Sequence, residues 1–360
     1  MPKYADITGW GKCMPPAVLT NDDFASVIDT SDEWIRTRSG IEERRISHVP
    51  NSDLAAVAAL RAMAAAGVEP AEIDLLILAT TSGDNIVPST AAYVQAKTGT
   101  LNAAVFDLNA GCSGFIYGLE TATAMIRSAG YRKVLVIGSE RLTWLINFSD
   151  RSSGVLFGDG AGAVVLEPSE EECGLLSAHL GCDGRHASIL EVPNSGTAGD
   201  RFIDGYNIFQ INFDGREIFK RAVKGMAREA NKVLGGLGLT TKDVDLVIPH
   251  QANLRIIESL AHFLRVPMEQ VAVNIQHYGN TSAATIPVAL CELLEQGRIH
   301  PGDRLLLAAF GAGLTRAAGL VRWGQRVTPI GESDAELPPC DKTALELLAD
   351  AIEHTLGETP

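Results

Sequence analysis

Short apolar runs separated by longer helical patterns constrain this chain more than any other feature. They are IDLLILATT (73–81), AAVFDL (103–108), KVLVIGSE (133–140), GAVVLEP (162–168), VDLVIPH (244–250), VAVNIQ (271–276) and DRLLLAAFG (303–311). Each is continuously apolar rather than alternating, the pattern of a strand buried on both faces in a largely parallel sheet with helices on either side. The fold class this predicts is α/β.

The runs also repeat. AGVEPAEIDLLILATT (66–81) has a counterpart in LGLTTKDVDLVIPH (237–250), and KVLVIG has one in DRLLLAAFG. Val134 stands 60 positions after Asp74, and Leu305 stands 60 after Asp245. So long a shared spacing is either a duplicated α/β half or a pair of ordinary βαβ segments, and duplication is the expectation. A chain of 360 residues has room for two fused units.

Composition narrows the function. Hydrophobic residues make up 46% and charged residues 21%, which supports a large core and argues against disorder. A formal charge of −14 argues against nucleic-acid binding, which needs a broad basic surface. Cys13, Cys112, Cys173, Cys182, Cys291 and Cys340 form no C-x-x-C pair and no cysteine–histidine cluster at zinc spacing, so neither a disulfide framework nor a structural metal is expected. The start, MPKYADITGWGKCMPP, lacks a signal-peptide pattern, and no run of ~18 apolar residues occurs; the expectation is a cytoplasmic protein with no membrane segment.

Cys112 lies in DLNAGCSGFIYGLETATAM (107–125), after an apolar run and before a helical one. Unpaired N–H groups and the dipole at a helix start stabilise an anion, which predicts a lowered thiol pKa and a nucleophilic thiolate. The plainer alternative is a small apolar filler. His250 ends one strand run, and Asn280 lies in HYGNTSAAT between another run and a helix. Each alone reads as a structural histidine or a turn asparagine. Catalytic groups of α/β sheets gather outside the carboxyl ends of strands, so the three together point to one catalytic site. His277 is left as structural or surface. FGDGAGA (157–163) lacks a complete phosphate-loop pattern and reads as a tight turn between packed elements.

The tail is distinct. In CDKTALELLADAIEHTLGETP (340–360), Leu345, Leu348, Ile352 and Leu356 share one helical face behind a candidate N-cap, Asp341. The expectation is a helix docked on the body.

TSDEWIRTRSGIEERRI (30–46), AGCSGF (110–115), DRSSGVLFGDGAGA (150–163), IPHQANLRII (248–257), YGNTSAAT (278–285) and AAFGAG (308–313) together resemble β-ketoacyl-acyl carrier protein synthase III, a thiolase-like condensing enzyme family. The resemblance runs to about Trp323. It implies a duplicated five-layer αβαβα architecture: a first thiolase-like half over 1–170 with the nucleophilic cysteine, a second over 171–324 with the histidine and asparagine, and a helical extension over 325–360, longer than the usual family ending.

By the same resemblance, Cys112 takes an acyl group from acyl-CoA, and His250 with Asn280 completes the trio. Loss of CO2 from malonyl-acyl carrier protein leaves charge on the thioester oxygen, which two neutral N–H donors stabilise. The backbone N–H groups of Cys112 and Ala312 serve the tetrahedral adduct, Ala312 standing where the commoner pattern has glycine. The family's CoA groove maps onto Trp34 and Arg151, which sandwich the adenine, with Arg38, Phe219, Ala252 and Asn253 alongside. No separate cofactor is implied, because acyl-CoA is a substrate. Arg216, Lys220, Lys224 and Arg228 recur every four residues. Lys220 and Arg255 match family positions for docking the acidic carrier protein.

Val87, in SGDNIVPST, stands where many acetyl-specific relatives carry phenylalanine, on a loop that the family contributes across a homodimer to close the acyl tunnel. The smaller side chain predicts acceptance of medium-chain acyl-CoA. The alternatives are a condensing enzyme of secondary metabolism, of alkylquinolone or head-to-head type, and a Cys-His-Asn thioester hydrolase.

Overall fold

The computed structural model describes residues 2–148, 150–193, 195–199 and 211–357. The first half runs β1 (Tyr4–Cys13), α1 (Asp32–Ser39), α2 (Asn51–Ala66), β2 (Leu75–Ala79), α3 (Thr90–Thr98), β3 (Ala104–Leu108), α4 (Gly114–Ala129), β4 (Val134–Arg141) and β5 (Asp159–Ser169). The second runs β6 (Gly174–Cys182), α5 (Gly215–Gly236), β7 (Leu246–Pro249), α6 (Leu254–Leu264), α7 (Thr285–Glu295), β8 (Arg304–Gly311) and β9 (Thr315–Arg322).

The strand order is β7-β8-β9-β6-β1-β5-β4-β2-β3. Outward from the centre, each half has the same plan: two antiparallel pairings, then parallel ones. The halves meet through a single parallel pair, Ala5 with Gly174. The sheet is therefore mixed, not largely parallel, because β1, β6 and β9 join the strands that were legible as apolar runs. VAVNIQ is not a strand: Val271 makes one parallel bridge to Val247, and Ile275–Tyr278 turns into a short helix.

The 60-residue spacing has a direct cause. Leu75 pairs with Val134 and Leu246 with Leu305. Asp74 accepts the N–H groups of Arg132 and Lys133 on its carboxylate, and Asp245 accepts that of Arg304. Each aspartate thus ties the start of one parallel strand to the next, which fixes their register in both halves.

Helices α2 and α3 cover the outside of the first half's strands, and α5 covers those of the second, with α6 packed on α5. Between them lie α4, which touches β4 and β2 as well as β6 and β9, and α7, which touches β5 and β1 as well as β7. This is the five-layer duplicated α/β arrangement. Phe115, Leu119, Ile286 and Leu290 of the middle layer pack with Ile77, Val136, Leu305 and Leu307 in one buried cluster. The alanine-rich face of α2 lets it approach β1 closely: a Cβ on Gly9 would lie 2.3 Å from the Ala62 carbonyl oxygen.

FGDGAGA is not a turn. From Asp159 onward it is the start of β5, and its glycines admit a neighbouring helix; a Cβ on Gly162 would lie 2.7 Å from the Pro287 Cβ on α7.

Beyond Trp323 the chain runs over the first half. Arg326 donates to the Thr8 and Ala66 carbonyls, the N–H groups of Ile330 and Gly331 donate to Ala65 and Ala64, and Arg61 and His48 donate to the Ala335 and Pro338 carbonyls. Helix α8 (Ala344–Gly357) then docks on a small antiparallel sheet of Ala17–Thr20 and Glu43–Ile46. Ala344 and Leu348 are buried, Leu345 and Ile352 half-buried, and Leu356 stays 36% exposed. The cap is Thr343, not Asp341: its hydroxyl accepts the Glu346 N–H while the Glu346 carboxylate accepts its own N–H.

Candidate active site

Cys112 sits in a single turn, Gly111–Ser113, between β3 and α4. Thr315, at the start of β9, holds that turn by donating to the Ala110 carbonyl at 2.8 Å. Gly111 has φ +56 and faces Ala312, and a Cβ on Gly311 would come within 2.5 Å of the Cys112 nitrogen. The two turns interlock, each packing a glycine against a backbone nitrogen of the other.

His250 follows the last residue of β7, its N–H donated to the Ala308 carbonyl of β8 at 2.8 Å. Asn280 is held along its backbone: its N–H donates to Leu156 at 2.8 Å, and its carbonyl accepts the Gly158 N–H at 3.1 Å. The Asn280 side-chain oxygen accepts the Ser282 N–H at 2.8 Å. With the oxygen so engaged, the amide N–H edge is left for the cavity.

These residues line one cavity of about 360 Å³ together with Ala312, Trp34, Arg38, Phe219, Ala252 and Asn253. Leu142, Leu145, Val155, Leu156 and Phe157 give it an apolar wall. Apolar space around a few convergent polar groups is what a small-molecule site offers.

The electrostatics correct one expectation. Part of Cys112 faces the cavity, but packed protein surrounds it, and burial pushes its thiol up to about 11 rather than down; a hydrogen bond from Ser282 opposes that shift. The resting group is a thiol because desolvation outweighs the short turn's N–H groups. Burial also drives His250 down to about 3, so its imidazole is neutral at physiological pH. A neutral ring suits hydrogen-bond donation to a developing oxyanion.

The other sequence-derived positions divide. Arg38 and Arg151 place their guanidinium carbons 4.5 and 4.6 Å from the Trp34 ring centre, both within cation–π range. Arg151 lies outside the cavity lining and also donates to the Asp29 carbonyl at 2.9 Å. An aromatic ring between Trp34 and Arg151 would need about twice that separation, so the guanidinium has to swing aside to admit one. Asn253 is engaged within the protein, accepting the Arg255 N–H and donating to the Arg38 carbonyl.

Arg216, Lys220, Lys224, Arg228 and Arg255 are exposed and outside the cavity. Lys220 pairs with Glu217 at 3.1 Å. Val87 is 81% exposed and does not line the cavity of a single chain.

Three residues escaped the sequence reading although they lie in quoted segments. Ser282 orients Asn280. Thr285 contacts His250. Glu140 is fully buried and accepts hydrogen bonds from Thr80, Thr81 and Ser82, which fixes the strand end where Thr81 meets the cavity.

Residues 106–184 match the family described as 3-oxoacyl-[acyl-carrier-protein (ACP)] synthase III, and residues 234–323 match its C-terminal part. The chain is 57% identical over 351 residues to the "beta-ketoacyl-[acyl-carrier-protein] synthase III 2" of Vibrio cholerae, covering 98% of this chain and 97% of that protein. It is 50% identical to the "beta-ketoacyl-[acyl-carrier-protein] synthase III" of Roseiflexus castenholzii, covering 90% and 99%. The crystal structure of the 3-oxoacyl-[acyl-carrier-protein] synthase III of Aquifex aeolicus, 44% identical, superposes with a TM-score of 0.84 over 89% of this chain and all of that one. With a duplicated α/β body, interlocked Cys112 and Ala312 turns, and full-length relatives well above 40% identity, this chain belongs to the β-ketoacyl-acyl carrier protein synthase III family.

Proposed function

We propose that the chain condenses an acyl-CoA primer with malonyl-acyl carrier protein, giving a 3-ketoacyl-acyl carrier protein, CO2 and CoA, in fatty acid synthesis. The observation that carries this reading is the convergence of Cys112, His250 and Asn280 on one apolar cavity with Trp34 and Arg38 also in its lining.

In the first step the Cys112 sulfur attacks the thioester carbonyl, and the CoA thiolate leaves with the proton the thiol gives up. The backbone N–H groups of Cys112 and Ala312 serve the tetrahedral adduct. In the second, the malonyl C–C bond breaks, CO2 departs, and the electron pair passes to the thioester oxygen. Neutral N–H donors on His250 and Asn280 stabilise that enolate without a strong base. Its carbon attacks the acyl-enzyme, and the released Cys112 thiolate takes a proton from solvent. Acyl-CoA is a substrate, and no separate cofactor enters.

The exposed cations Lys220 and Arg255 offer the acidic carrier protein a local basic surface on a chain of net charge −14. In a homodimer, the Val87 loop caps the partner subunit's cavity, and its valine leaves room for a medium-chain primer. The protein acts in the cytoplasm. Relatives that carry the synthase III name over nearly the whole chain favour this reading over an alkylquinolone, head-to-head or thioester-hydrolase activity.

The test is steady-state turnover of acetyl-, butyryl-, octanoyl- and dodecanoyl-CoA with malonyl-acyl carrier protein, with Cys112→Ala as control. A 3-ketoacyl product that vanishes in the variant supports the condensation. Thioester hydrolysis without malonyl consumption overturns it. A peak at octanoyl supports the Val87 reading, and a peak at acetyl sinks it.

A further inference from the structure

One short segment controls both proposed enolate donors. Ser282, with φ +49, donates its N–H to the Asn280 side chain, and three residues later Thr285 opens α7. The Thr285 hydroxyl oxygen lies 2.8 Å from His250 Nδ1 and 2.9 Å from the Ser282 carbonyl oxygen. His250 and Thr285 are both buried, and among the described residues no other side chain hydrogen-bonds the ring.

A neutral imidazole has one N–H and one bare nitrogen, and the partner of one nitrogen decides what the other can do. The hydroxyl has a single proton and two acceptors within reach. Turned to Ser282, it can only accept from Nδ1–H, and Nε2 then faces the cavity as a lone pair. Turned to Nδ1, it fixes the ring proton on Nε2, which becomes a donor.

The Ser282 carbonyl already accepts the Thr285 backbone N–H, so it does not depend on the hydroxyl. A bare Nδ1, buried and with no other donor, does depend on it.

We propose that Thr285 is a positioning residue that donates to His250 Nδ1 and thereby holds the histidine in the Nε2–H tautomer. The inference rests on His250 acting as an oxyanion donor. It adds that this donor is set by a neighbouring hydroxyl and not by the ring alone.

The test is 15N–1H correlation spectroscopy of the whole protein labelled at its histidines, with the His250 signals assigned by their loss in His250→Gln. In the wild type, Nε2 is expected to show the protonated, pyrrole-like signature and Nδ1 the bare one. Thr285→Val should abolish that pattern and lower malonyl decarboxylation about 10- to 100-fold, with KM for acyl-CoA changed less than about threefold. Thr285→Ser should restore both.

A wild-type ring protonated at Nδ1 overturns the proposal, as does an unchanged His250 pattern in Thr285→Val. The underlying reading fails separately: if His250→Ala still decarboxylates malonyl-acyl carrier protein at the wild-type rate, His250 is not the donor, whatever its tautomer.

Discussion

Gly111 and Ala312 approach so closely that a Cβ on Gly111 would lie 2.8 Å from the Ala312 nitrogen. The turn that carries Cys112 and the β8–β9 turn come from different halves of the duplicated fold, and this contact packs one directly against the other. The cavity that holds Cys112 is therefore built where the two halves meet.

Gly111→Ala should damage catalysis twice over, by clashing with Ala312 and by placing a side chain at φ +56. Acyl transfer from acyl-CoA to Cys112, followed by mass spectrometry of the intact protein, is expected to slow about 10²- to 10³-fold, the usual effect of losing an oxyanion donor. Ala312→Gly, which keeps the backbone N–H, should change the rate less than about threefold. A large loss in Ala312→Gly with none in Gly111→Ala would contradict this geometry.

Asn280→Asp separates the two half-reactions. An aspartate oxygen can still accept the Ser282 N–H, but the cavity-facing N–H donor becomes an acceptor that repels an enolate. Decarboxylation of malonyl-acyl carrier protein should fall at least about 100-fold while Cys112 acylation stays within about fivefold of wild type. Equal losses in both steps would mean that Asn280 does not act on the enolate alone.

The pH dependence follows from opposite shifts at the two partners. With the Cys112 thiol pushed up to about 11, alkylation by iodoacetamide should rise about tenfold per pH unit from 7 to 10 without a plateau. His250 sits at about 3 when folded and ~6.5 when unfolded. The unfolded chain therefore takes up the proton first as pH falls, and the stability His250 contributes, present above about 6.5, is lost toward 3. Asp159, raised to about 6 by burial, opposes this, because its contribution is present below about 4 and is lost as pH rises to about 6. Urea unfolding at pH 6.5 and 5 should show wild type losing about 1–2 kcal/mol more than His250→Gln.

How much of this was legible depended on which signal each residue carried. The strands around Asp74 and Asp245 were readable because burial on both faces leaves unbroken apolar runs. β1 carries glycines and a tryptophan in TGWGK, and β6 and β9 are partly polar, so these three strands left no such run. VAVNIQ has strand composition, but only Val271 pairs.

Cys112 and His250 were legible from their places after strands, and Asn280 from a run, VAVNIQ, whose strand-like composition does not make a strand. Ser282 and Thr285 were not, since a serine and a threonine beside asparagine look like turn residues until the ring of His250, 35 positions away, is in view. The shift at Cys112 was invisible for a related reason: a helix start is local, whereas burial is set by the whole chain.

The tail is expected to stabilise the body without serving the chemistry. Relatives such as the Roseiflexus and Aquifex proteins are matched over nearly their whole length by about nine tenths of this chain, whereas the Vibrio protein matches 98% of it. Residues 325–357 contact the first half through backbone carbonyls and through Leu348, which joins the buried cluster that also holds Leu145, Val155 and Leu156 of the cavity wall. The two-stranded sheet under α8 carries Arg44, whose guanidinium donates to the Val155 carbonyl at 2.6 Å, so the helix braces that wall from behind. Leu348→Ala should cost about 2–4 kcal/mol in urea unfolding, the range for a buried leucine. Ending the chain after Val327, which keeps Arg326 and its contacts, should cost at least as much. In both variants the rate of Cys112 alkylation at pH 8, measured at 15 °C to favour the folded state, should stay within about twofold of wild type, because no residue of α8 lines the cavity that holds Cys112. A tenfold change in alkylation with unchanged stability would instead make the tail part of the site.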